Sequence, residues 1–142
     1  MSAAFPLPPE LHALLAQGIW PSDQEAARKQ RLQPILSAAQ IKAVFAGEKV
    51  LEFRPLPFST ITEEIPRATS FWQEFGALEE IQADQCLIIA DFEIGSDSMV
   101  ILDYADDFQR PLVKWLKWTA KETHWVVVAP DFGEFMRLLG LG

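Results

Sequence analysis

The stretch Asp84–Tyr104, DQCLIIADFEIGSDSMVILDY, decides how the rest of the chain is read. Residues 86 to 94 are dense in isoleucine and aromatic side chains, residues 99 to 104 repeat that character, and Gly95, Ser96, Asp97 and Ser98 form a small polar break between them. Apolar runs joined by such a break predict a β-hairpin. Taken alternately, Ile88, Ala90, Phe92 and Ile94 share the face expected to be core, and Leu87, Ile89, Asp91 and Glu93 share the other. The second set begins apolar and ends acidic, so the strand is expected to emerge from cover near its turn.

The segments that follow extend the sheet. Leu112 to Trp118 places Val113 and Trp115 on one side and Leu116 and Trp118 on the other, and Trp125 to Ala129 supplies a further strand after a polar turn from Thr119 to His124. Asp131 and Glu134 then stand at capping-box spacing, and Phe132, Phe135, Met136 and Leu139 form the apolar face of a closing helix that Gly140 ends.

Upstream, Leu7, Leu11, Leu14 and Leu15 fall on one face of a first helix opened by Pro8-Pro9-Glu10 and stopped by Gly18. Ser22 and Glu25 have capping-box spacing before a short basic helix holding Arg28, Lys29 and Arg31; Ser37 and Gln40 repeat it before Ile41, Val44 and Phe45. The basic cluster could bind an anion, although a solvated helix face is the plainer reading. Val50 to Phe53 reads as an edge strand closed by Arg54-Pro55, and Thr60 with Glu63 caps one more helical turn. Phe71, Trp72 and Phe75 are expected to pack on the sheet rather than to form a ligand cage. The whole is a single α+β domain over residues 1–142. It has an antiparallel sheet of about four strands in a C-terminal meander, N-terminal helices and a closing C-terminal helix.

Bulk properties narrow the chemistry. At 142 residues and 49% apolar composition the chain can bury a real core, which excludes a disordered reading. No apolar run reaches the length of a membrane helix and the N-terminus lacks a secretory pattern, so a soluble, cytoplasmic protein is expected. Cys86 has no second cysteine to pair with and sits among Leu87 and Ile88, which reads as core and not as a nucleophile.

Charge is the sharpest bulk signal. The net charge is −8, and no Lys or Arg falls between Arg67 and Arg110, a span that contains Asp84, Asp91, Glu93, Asp97, Asp103, Asp106 and Asp107. A field of one sign repels nucleic-acid phosphate and attracts cationic protein surfaces or metal ions. If the hairpin register sets Asp91 opposite Asp103, the like charges call for a proton or cation between them; a register shifted by one residue parts them. The spacing does not fit an EF-hand loop, and no metal or other cofactor is expected. Ser96 lacks a strand-to-helix elbow, and His12 and His124 are the chain's only imidazoles, so catalysis is not expected.

The hairpin with its Gly95-Ser96-Asp97 turn, the strand end Leu102-Asp103-Tyr104, and Trp125, Phe132 and Phe135 near the C-terminus together resemble the SUKH superfamily of Smi/Knr-like proteins. The opening LPPELHALL is similar to that family's first helix. The resemblance implies a non-enzymatic binding protein. In the bacterial branch it implies an immunity protein that neutralises a toxin domain, often a nuclease. The expected contact set is Asp91, Glu93, Gly95, Ser96, Asp97, Asp103, Asp106 and Asp107, facing a cationic toxin domain. A small-ligand or metal-binding regulator using the same acids is the alternative, and Gly95, Ser96 and Asp97 have a purely turn-forming reading besides.

Overall fold

The computed structural model describes residues 5–64, 81–92, 98–118 and 123–141. Helices α1 (Pro9–Ala16), α2 (Gln24–Leu32) and α3 (Ala38–Val44) come first, followed by strand β1 (Glu52–Phe53) and the short helix α4 (Ile61–Glu64). Strands β2 (Cys86–Asp91), β3 (Met99–Asp103), β4 (Leu112–Trp118) and β5 (Thr123–Ala129) then run into helix α5 (Phe132–Leu138). The sheet order is β1-β2-β3-β4-β5 and every pairing is antiparallel, giving an α+β meander. Among the described residues it has five strands, because the short edge strand expected at Val50 to Phe53 joins the four of the C-terminal run.

The caps explain where the helices start. Ser37 Oγ accepts from Gln40 N while Gln40 Oε1 accepts from Ser37 N, so both halves of the capping box form at α3. Thr60 and Glu63 make the same reciprocal pair at α4. Asp131 accepts from Glu134 N at α5. At α2 the cap is Asp23, accepting from Ala26 N at 2.8 Å, and not Ser22. A carboxylate at this position accepts more strongly than a hydroxyl and also complements the positive helix end.

The face assignment of β2 needs correction. Ile88 pairs with Ile101 but Ala90 pairs with Val100, so Ile89 is the extra residue of a β-bulge. The bulge flips the phase of the alternation. Leu87, Ile89, Ala90 and Phe92 all join the large core beneath α1, α3 and α5, whereas Cys86 and Ile88 join a smaller cluster with Ile61, Met99, Ile101, Leu116 and Trp125. Both faces of β2 are therefore buried, and emergence from cover is confined to Asp91.

Aromatic side chains lock the large core. Trp20 stacks on Phe53 with ring centroids 4.0 Å apart and donates its Nε1–H to Arg54 O at 2.8 Å, tying the α1–α2 corner to the edge strand. Phe45, the residue that ends α3, makes edge contacts with Phe92, Trp115 and Phe135. Gln40 Nε2 donates to Leu139 O across the α3–α5 contact. Gly18 and Gly140 adopt φ of 76° and 80° just past the ends of α1 and α5, the left-handed geometry that stops a helix.

Candidate functional site

The hairpin register decides the fate of the acidic residues. Asp91 pairs with Met99, and Asp103 pairs with Cys86, so these carboxylates lie at opposite ends of β2 and β3, on the order of 15 Å apart. They do not face each other. Among the described residues, no three His, Cys, Asp or Glu side chains gather as a metal site would require.

Each of the pair is neutralised internally. Arg54 grips Asp91 with a bidentate fork, Nε to Oδ2 at 2.6 Å and the second nitrogen to Oδ1 at 2.9 Å. Asp103 is 5% exposed; Lys114 Nζ lies 2.7 Å from its Oδ2, and Ala105 N donates to its Oδ1. The cations that neutralise them come from outside the acid-only span, on β4 and beyond β1, where a view of local sequence charge does not reach. Asp91 and Asp103 are thus both engaged in ion pairs within the chain, Asp103 buried and Asp91 partly exposed. Glu93, Gly95, Ser96 and Asp97, like Phe71, Trp72 and Phe75, lie outside the described residues.

Asp106 and Asp107 behave differently. Both are exposed in the β3–β4 connection. Asp107 Oδ1 accepts from Gln109 N and Arg110 N, which fixes the turn, and Asp106 makes no ion pair among the described residues. Between them and the sheet lies an aromatic base: Tyr104 packs on Phe5 at 4.7 Å and its OH donates to Pro6 O at 3.0 Å. Phe108 rests on both rings yet stays 45% exposed. Tyr104 N donates to Gln85 O, which brings exposed Asp84 to the same end of the sheet.

Here the sequence reading missed Phe108. A large aromatic residue directly after two acids is the signal that marks it. The other predicted residues have mostly structural work. Leu102 lies in the core, Tyr104 ties down the N-terminal segment, and Trp125, Phe132 and Phe135 are buried. His124 belongs to β5, opposite Lys117, and not to the preceding turn.

Cys86 is fully buried, and burial first, then the adjacent Asp103 carboxylate, push its thiol far above the ordinary range. A thiol held neutral and out of solvent is a poor nucleophile. Ser98, just before β3, is 3% exposed; its hydroxyl donates to Leu116 O and accepts from Trp115 Nε1, a satisfied core contact.

Comparison with protein-family models, with curated proteins and with solved structures gives no match for this chain.

Proposed function

We propose that this chain is a non-enzymatic protein-binding domain that neutralises a cationic, nuclease-type toxin domain, as the SUKH resemblance implies. The observation that carries the reading is the loop between β3 and β4, where half-exposed Phe108, next to Asp107 in sequence, rests on the rings of Phe5 and Tyr104. Exposed aromatic anchors held in place by packing, with charges at the rim, are the composition of binding hot spots. Asp84, Asp106 and Asp107 supply negative potential around that anchor, in a chain whose net charge is −8.

A nuclease holds its substrate in a cationic cleft. An acidic surface with a single aromatic plug competes for such a cleft, with rapid association that salt slows. No catalytic role is assigned to any residue of the loop.

The test is affinity capture from a lysate of the source cells at low and high salt, with Phe108→Ala and Asp106→Lys proteins as parallel baits. The expected catch is a basic toxin domain, retained by the native chain at low salt and recovered in smaller amount by both variants. Absence of any specific catch, or one that neither salt nor the variants weaken, overturns the reading.

A further inference from the structure

A second region, remote in sequence from the acidic loop, has the opposite charge. Residues 24 to 54 hold Arg28, Lys29, Arg31, Lys42, Lys49 and Arg54, half of the chain's 12 basic residues, against Glu25, Glu48 and Glu52. Within it, α2, the α2–α3 connection and β1 enclose a groove of about 490 Å³. Ile35 and Val50 line it and remain 43% and 39% exposed.

The wall formed by β1 is an edge of the sheet among the described residues, with β2 on one side and no described strand on the other. Arg54 N donates to Ile89 O at 2.8 Å, so by the alternation of an antiparallel ladder the N–H and C=O of Phe53 point away from β2. A sheet edge beside a helix, with apolar positions flanking it, is the geometry in which an extended peptide adds as a further strand.

We propose that this groove docks an extended acidic segment of a partner protein, laid beside β1 with alternate apolar side chains against Ile35 and Val50. Charge selects the occupant. Arg31, Lys49 and Arg54 line the groove against Glu52 and Asp91. Arg54 is engaged by Asp91, and Arg31 lies 3.7 Å from Glu52, while Lys49 is exposed and makes no ion pair among the described residues. An acidic peptide is repelled by most of a chain with net charge −8 and finds its complement at this face. The site is independent of the acidic loop, and of the basic residues on α2 it uses Arg31 alone.

The experiment titrates the full chain with a fluorescein-labelled peptide alternating Glu with Val and Leu, following anisotropy and the amide resonances of the protein. Binding with shifts centred on Leu51 and Phe53, weakened about tenfold by Lys49→Glu and by Ile35→Glu, and unaffected by Asp106→Lys, is the expected result. The exposed positions of Lys49 and Ile35 keep these variants folded, which the unfolding midpoint verifies. No binding overturns the proposal. So does equal binding of a lysine-for-glutamate peptide or of one N-methylated along its hydrogen-bonding edge. Concentration-dependent self-association abolished by Ile35→Glu would instead assign the groove to a second copy of the chain, and overturn it too.

Discussion

Asp103 and Asp106 belong to the same acidic run, yet the fold gives them different tasks. Asp103 is buried at the end of β3 against Lys114, whereas Asp106, just past the strand, is exposed in the loop that carries Phe108. What separates them is where the ladder ends. A carboxylate inside the sheet must be matched by a cation and by hydrogen bonds, because an uncompensated buried charge is costly; one outside remains hydrated and available. Sequence charge alone therefore overstates a recognition surface by counting the acids that the fold consumes.

The largest expected effect probes the consumed acid. Asp103→Asn leaves the Lys114 ammonium without its counter-charge and should destabilise the chain by about 3 kcal/mol, read by chemical denaturation. Adding Lys114→Met should recover most of that loss, since a neutral pair has no stranded charge. Failure of the second substitution to rescue would mean that the loss does not come from the stranded Lys114 ammonium.

Cys86 gives the next effect, and it depends on pH. The thiol's folded pKa is raised above its ordinary value of 9.0, so its contribution is fully present below that value. As pH climbs past it the unfolded chain loses the proton while the folded chain keeps it, and stability falls by up to about 1.4 kcal/mol per pH unit. Cys86→Ala should flatten this alkaline decline without abolishing it, because Tyr104, also raised by burial, contributes in the same sense above its own ordinary value. The measurement is the denaturation midpoint as a function of pH for both proteins. Thiol-specific reagents should label the native chain only at the rate at which it opens.

Asp91→Ala should cost about 1 kcal/mol, because the Arg54 fork is bidentate but partly hydrated. Smallest of all, Asp106→Lys should move stability by less than about 0.5 kcal/mol, as surface substitutions do, while weakening affinity for the cationic partner. That order, from buried pair to hydrated loop, is the comparison in quantitative form.

Much of the architecture was legible beforehand. Apolar periodicity located α1, α3, β4 and α5, and the capping pairs Ser37 with Gln40 and Thr60 with Glu63 formed as their spacing indicates. These signals are local, carried by residues within one turn or one strand. The bulge at Ile89 was not legible, since an extra residue in one strand is defined only against its partner. Nor were the ion pairs of Asp91 and Asp103, whose cations arrive through strand pairing from distant parts of the chain. The exposed Phe108 could have been noticed; its support by Phe5, from the far N-terminus, could not.

The most direct measurement is the association rate of the captured basic partner with the native chain and with Asp106→Lys, over a series of salt concentrations. The account predicts fast association that falls steeply with salt for the native chain, and slower association with a shallower salt dependence for the variant, at equal folding stability. Identical rates and identical salt slopes for the two proteins would contradict it.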